Sequence, residues 1–138
     1  MSSSIVAPCI ELHPSLADAL GEEEAIRLKA MFFAYKTGRR PEVFGKDIPF
    51  DWPAHVAQSA LWHIHLLSDE QIKRYRDRGV RRQIKQTSDV FLVYVQHFTQ
   101  RHRYLLIAVI PEPAHEVCRR QLTKLPGYAD IAEDFHSS

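Results

Sequence analysis

The run Ala60-Leu61-Trp62-His63-Ile64-His65-Leu66-Leu67 decides how the rest of this chain is read. Two more runs of strand length follow it, Val90-Phe91-Leu92-Val93-Tyr94-Val95-Gln96 and Tyr104-Leu105-Leu106-Ile107-Ala108-Val109-Ile110. All three are apolar, aromatic and β-branched, which fits strands at about 58–67, 90–96 and 104–110. Side chains alternate faces along a strand, so His63 and His65 share one face while Trp62, Ile64 and Leu66 take the other. The last two runs are apolar on both faces, which predicts a central, covered hairpin with 97–103 as its connection. Pro111-Glu112-Pro113 stops the third run.

Working outward toward the N-terminus, residues 38–53 hold Gly38, Pro41, Gly45, Pro49 and Pro53, which predicts an ordered connector with little regular structure. Phe44, Ile48, Phe50 and Trp52 would anchor it, and Lys46-Asp47 beside Gly45 reads as a surface turn or as the rim of a site. Before it, Glu22-Glu23-Glu24 opens a helix whose inner stripe is Ala25, Leu28, Phe32 and Tyr35, with Gly38 just past its end. Pro14-Ser15 starts a shorter helical turn toward Leu20. Residues 5–12 suit an edge strand, because Pro8 interrupts them. On the C-terminal side, a helix is expected at 114–123 with Val117, Cys118, Gln121 and Leu122 inward. Pro126-Gly127 should break it before a last short helix at 128–135.

With 138 residues and 45% hydrophobic composition, a single domain with a real core is expected over 1–138, its first 20 residues being the least clearly assigned. No run approaches the roughly 18 apolar residues needed to cross a bilayer. The N-terminus lacks the pattern of a secretion signal, and Cys9 and Cys118 match no metal or redox spacing, so a cytoplasmic protein with reduced thiols is expected. The net charge of +1 conceals an asymmetry. Through Glu70 there are six Lys/Arg against ten Asp/Glu, and from Gln71 onward twelve against seven. Residues 71–85 alone carry Lys73, Arg74, Arg76, Arg78, Arg81, Arg82 and Lys85 against Asp77. Such one-sided charge points to a phosphate-bearing partner, although charge runs also occur as plain solvated faces. Arg101, His102 and Arg103 add a second cationic cluster.

Eight histidines are many for this length. Two on one strand face sit about 6–7 Å apart, from a rise of about 3.3 Å per residue. That spacing lets both reach one phosphodiester, one near the attacking 2′-oxygen and one near the leaving 5′-oxygen. With nearby cations this suffices to cleave RNA without a metal. The pair could equally be structural, or could supply two ligands of a metal site, though no carboxylate or cysteine sits at a matching spacing. No phosphate-binding glycine loop, nucleophile elbow or HExxH is present.

In order along the chain stand Phe32–Lys36 followed by Gly38, Phe44-Gly45-Lys46-Asp47, Trp52-Pro53, His63-Ile64-His65-Leu66, Leu92-Val93-Tyr94, Leu105-Leu106-Ile107-Ala108, Pro111-Glu112-Pro113 and Ala132-Glu133-Asp134-Phe135. In this series the chain resembles the YafO family of toxins from bacterial type II toxin–antitoxin systems, over roughly 32–135. The resemblance implies a small α+β fold, an antiparallel sheet packed against N- and C-terminal helices, related to the RelE-like ribosome-dependent mRNA interferases. It also implies the ribosome and translated mRNA as targets, a cognate antitoxin as partner, and no membrane. The matched positions able to do chemistry are His63, His65, Tyr94, Lys46 and Asp47. Residues 71–85 depart from the family in detail.

The expectation is thus an endoribonuclease without cofactor or metal, with His63, His65 and Tyr94 as its acid–base groups. Lys46, Arg81, Arg82, Lys85, Arg101 and Arg103 would hold RNA or ribosome. Two other classes remain open, a non-catalytic RNA- or ribosome-binding module and a small metalloenzyme built on the two histidines.

Overall fold

In the computed structural model, which describes residues 6–120 and 124–138, the chain begins with β1 (Cys9–Leu12), α1 (Pro14–Leu20), α2 (Glu22–Lys36) and β2 (Phe44–Pro49). Next come α3 (Ala54–Gln58), β3 (Leu61–Leu66), α4 (Asp69–Asp77) and one 3-10 turn (Gln83–Lys85). It ends with β4 (Phe91–Gln96), β5 (Arg103–Ile110), α5 (Ala114–Arg120) and α6 (Lys124–His136). The strands form one sheet in the order β1-β5-β4-β3-β2. The α+β class is as expected, and the three predicted strands are its middle. The sheet is mixed rather than wholly antiparallel, because β1 joins the edge parallel to β5.

Both faces of the sheet are covered, which is why its central strands carry apolar side chains in both directions. On one face α1 and α2 pack Leu16, Leu28 and Phe32 against Phe44, Ile64, Leu92, Tyr94 and Leu106. On the other, α3, α5 and α6 pack Val56, Leu125, Ala129 and Phe135 against Leu61, Phe91, Val93, Val95 and Ile107. Burying each of the larger side chains contributes about 1.5–3 kcal/mol. Among the described residues no helix is long and apolar enough to cross a membrane.

The sequence reading is corrected in two places. The connector at 38–53 contains the strand β2 and most of the turn leading into helix α3. The strand is legible only through its pairing: Asp47 lies opposite Ile64, Ile48 opposite His63 and Pro49 opposite Trp62, with an irregularity between Phe44 and Asp47. Proline is tolerated at Pro49 because β2 is an edge strand. Second, α6 runs through Pro126-Gly127 instead of beginning after them. Pro126 falls in its first turn, where backbone N–H groups have no intrahelical partner in any case. The cationic run itself starts on a helix, α4, which Ser68 opens with a capping box: Gln71 N–H donates to Ser68 Oγ at 3.1 Å, and Ser68 N–H donates to Gln71 Oε1 at 2.9 Å. Gly38 follows α2 with φ of 100°, as its predicted role requires. The expected inward positions Gln121 and Leu122, and the start of the first strand at Ile5, lie outside the described residues.

Gly45 has a reason that its sequence neighbours do not reveal. The segment after the 3-10 turn lies along the outer edge of β2, where Lys46 N–H donates to Gln86 O at 2.7 Å. A Cβ at position 45 would overlap the Gln86 carbonyl oxygen and press on Leu67. Gly45→Ala is therefore expected to destabilise the fold by about 1–3 kcal/mol in urea unfolding, as backbone-level overpacking does. Wild-type stability in that variant would show that the segment is not held there.

Candidate active site

His63 and His65 do share a face, the one covered by the C-terminal helices. Toward β2 this cover is incomplete and leaves a cleft of about 430 Å³. Lys46, Ile48, Phe50, His63, His65, Thr87, Phe91, His115 and Cys118 are among its lining residues. Pairing of β2 with β3 brings Lys46 to the histidines. The two imidazole centroids are 5.6 Å apart, and Phe50 stacks on His63 at 4.1 Å. The two histidines are largely buried: His63 is 7% exposed and His65 2%.

Burial sets their protonation. It is the largest of the influences that push His63 down to about 3, with His65, His115 and Lys46 adding like-charge repulsion. Burial likewise comes first in pushing His65 down to about 4, followed by His115 and Lys46. Both are neutral near pH 7. The tautomer of His65 follows from its partner: Ser88 N–H donates to His65 Nδ1 at 2.9 Å, so Nδ1 carries no proton and Nε2 does. His65 is accordingly a neutral N–H donor. His63 Nδ1 is buried without a hydrogen bond. Such an orphan costs about 1–3 kcal/mol.

Two groups at this cleft were not singled out from sequence. Asp89 Oδ1 accepts from the backbone N–H of His115 and contacts His115 Nδ1, each at 2.8 Å. The backbone hydrogen bond, then the imidazole, hold the Asp89 carboxyl below its usual range. His115 stands edge-on to His65, with ring centroids 5.4 Å apart, and to Phe91 at 4.8 Å. The pair is 26 residues apart in sequence, and no spacing signal marks it. Cys118 nearby is pushed up to about 11, mainly by burial, which keeps it a thiol.

Tyr94 lies outside the cleft. It pairs with Trp62 across the β3–β4 ladder and therefore projects from the opposite face. There its hydroxyl donates to Asp47 Oδ1 at 2.8 Å, and Tyr35 donates to Asp47 Oδ2 at 2.6 Å. Gln83 Nε2 donates to the Tyr35 oxygen and to Gly45 O, both at 2.9 Å. Lys36 Nζ sits 4.8–5.5 Å from the ring centres of Phe32, Tyr35, Tyr94 and Tyr104. Burial raises the Asp47 carboxyl, opposed by the two tyrosine hydrogen bonds, and burial lowers the Lys36 ammonium. This network joins α2, β2 and β4 and is separated from the histidines by the sheet itself.

The cations are also sorted by the fold. Lys46 lines the cleft. Arg81, Arg82 and Lys85 are exposed on the segment that runs to Thr87 at the cleft's edge. Arg74 and Arg76 are paired, with Glu70 at 3.4 Å and Glu42 at 2.6 Å. Arg101 and Arg103 lie at the far end of the sheet, near the β4–β5 connection. Arg103 is occupied: it bonds Glu11 at 3.1 Å and stands 4.8 Å from the Phe135 ring centre. It braces β1 and α6. Among the described residues, no three His, Cys, Asp or Glu side chains are grouped to hold a metal.

Comparison with known proteins adds the family. The family described as "Toxin YafO, type II toxin-antitoxin system" matches residues 33–137. This chain belongs to that toxin family. It is 32% identical over 106 residues to the mRNA interferase toxin YafO of Escherichia coli (strain K12), covering 72% of this chain and 76% of that protein. No solved structure matches it. The family match takes in β2, the cleft, the Asp89–His115 pair and the Asp47 network with Tyr35 and Lys36, and leaves β1, α1 and most of α2 outside.

The buried histidines give this YafO-family chain a pH signature. Their folded values lie below the ordinary 6.5, so the unfolded chain binds more protons as pH falls and stability declines with it. The stabilisation is complete above about 6.5 and is lost on acidification toward about 3–4. Urea unfolding should show a loss of about 3–4 kcal/mol between about pH 7 and 5, flattened in His63→Gln/His65→Gln. An unchanged slope in that variant would contradict the burial argument.

Proposed function

We propose that this toxin is a ribosome-dependent endoribonuclease that cuts translated mRNA in the cleft of Lys46, His63 and His65 by metal-independent acid–base chemistry. The observation that carries the reading is the convergence of those three side chains in one cleft of a toxin-family chain whose E. coli relative is an mRNA interferase. Lys46 supplies positive charge for a phosphodiester. His65, neutral with Nε2–H, donates a hydrogen bond to a phosphoryl oxygen, where charge develops in the transition state. His63 lies beneath it, stacked between His65 and Phe50.

Arg81, Arg82 and Lys85 would lead the RNA or ribosomal backbone along the edge of β2 to the cleft. Tyr94 acts at a distance in this reading: with Tyr35 it holds Asp47, and hence β2 and Lys46, in register. A cognate antitoxin would neutralise the protein, and the site of action would be the cytoplasm, where translation occurs.

Replacing His63 and His65 together by Ala should abolish growth inhibition and lower cleavage of ribosome-bound mRNA by about 100-fold or more, while circular dichroism and cooperative unfolding remain. A folded double variant that cuts at the wild-type rate would remove the cleft from consideration. New RNA ends in induced cells would also separate cleavage from a non-catalytic binder, which stalls translation without producing them.

Replacing Arg81, Arg82 and Lys85 by Ala should instead weaken binding at low salt. The log–log salt slope should become shallower by about 0.7 for each single-stranded phosphate that is no longer neutralised. A salt slope identical to that of wild type would place the RNA track elsewhere.

A further inference from the structure

The chemistry of the cleft needs a group that can accept a proton near neutral pH, and the two buried histidines are poorly suited. His65 has one ring nitrogen committed to Ser88 N–H and the other already protonated. His63 is packed between Phe50 and His65, and its Nδ1 is sealed from solvent. A base works best with a proton affinity matched to the working pH, and burial makes both of these weak acceptors.

His115 is placed differently. It is an exposed residue at the cleft wall. Asp89 is ionised, so the 2.8 Å contact to His115 Nδ1 is an N–H donated to a carboxylate. The backbone N–H of His115 donates to the same oxygen, and Ala114 N–H donates to Asp89 O at 2.9 Å. These three bonds fix the ring and, for the neutral imidazole, its tautomer, with the proton on Nδ1 and the lone pair on Nε2. A carboxylate orienting an imidazole in this way is the arrangement that makes histidine a directed base.

We infer that His115 is the general base of this cleft, with Asp89 as its positioning residue. The inference rests on the proposed ribonuclease reading and assigns its proton acceptor, a part the sequence reading gave to His63 or His65. The 2′-hydroxyl proton passes to His115 Nε2 as the 2′-oxygen bonds to phosphorus. The bond from phosphorus to the 5′-oxygen breaks, and that oxygen takes a proton from the Lys46 ammonium. The products are a 2′,3′-cyclic phosphate and a 5′-hydroxyl; the protonated His115 then gives its proton to water and the neutral Lys46 amine takes one from it, which restores both groups. The titratable and charged groups around His115 in the cleft are Asp89 before β4, His63 and His65 on β3, Lys46 on β2, Asp51 just after β2, and Cys118 on its own helix.

The test is single-turnover cleavage of a defined mRNA on programmed ribosomes, followed across pH for the whole protein. His115→Ala should slow the cut by about 100-fold or more, remove the acidic limb of the wild-type profile, and regain rate on adding imidazole. Asp89→Asn, which keeps the size of the side chain but can present an N–H to the ring, should lower the rate with His115 still present. Imidazole should not restore it. If His115→Ala keeps the wild-type rate and acidic limb while His63→Ala/His65→Ala is inactive, this inference fails and the cleft stands. If the His115→Ala rate falls with the limb intact and no imidazole rescue, His115 is structural and the inference also fails. If the His63→Ala/His65→Ala variant cuts as wild type does, the ribonuclease assignment of the cleft fails with it.

Discussion

The cleft depends on how one short edge strand is held against β3. Asp47, Ile48 and Pro49 keep regular antiparallel register with Ile64, His63 and Trp62, and the irregularity before Asp47 lies where Gln86 presses on Gly45. Because faces alternate, that register directs Lys46 to the histidines and Asp47 to the opposite side. A one-residue slip would exchange them, placing a carboxylate in the cleft and an ammonium under the tyrosines. The strand is held from three directions: by β3, by Gln86 O on Lys46 N–H, and by Tyr35 and Tyr94 on Asp47.

The two faces treat charge in opposite ways. Beneath α2, a carboxylate and an ammonium are half-buried with hydroxyl and aromatic partners, so each has its charge compensated. In the cleft, Lys46 stands beside two neutral imidazoles whose protonation it opposes. The result is a donor-rich concavity with Lys46 as its cation and Asp51 at its wall, open to solvent on one side, next to an Asp–His pair. A phosphodiester suits such a surface, since its non-bridging oxygens take donated hydrogen bonds and its charge meets a cation.

Much of the architecture could be read from the residues. The helix from Glu22 and the strands around Ile64, Val93 and Ile107 follow from periodicity, because each buries a whole apolar face. The shared face of His63 and His65 follows from alternation alone. The strand β2 could not be read this way, since Gly45 and Pro49 imitate a loop until pairing with β3 supplies the missing partner. Tyr94 seemed to belong with the histidines because the family pattern carries all three. Only the β3–β4 register, with Trp62 facing Tyr94, shows that it points the other way. Arg103 read as a free cation because Glu11 and Phe135 reach it through tertiary contacts at long sequence separation. His115 and Asp89 were hidden for the same reason.

Everything proposed for the cleft turns on RNA being cut by side chains that move the 2′-hydroxyl proton. The most direct measurement is the chemistry of the ends left when purified protein cuts mRNA on translating ribosomes. A 2′,3′-cyclic phosphate on the upstream fragment and a 5′-hydroxyl on the downstream one are the ends expected. A 3′-hydroxyl with a 5′-phosphate would mean that water, not the 2′-oxygen, attacks phosphorus, and would contradict this chemistry.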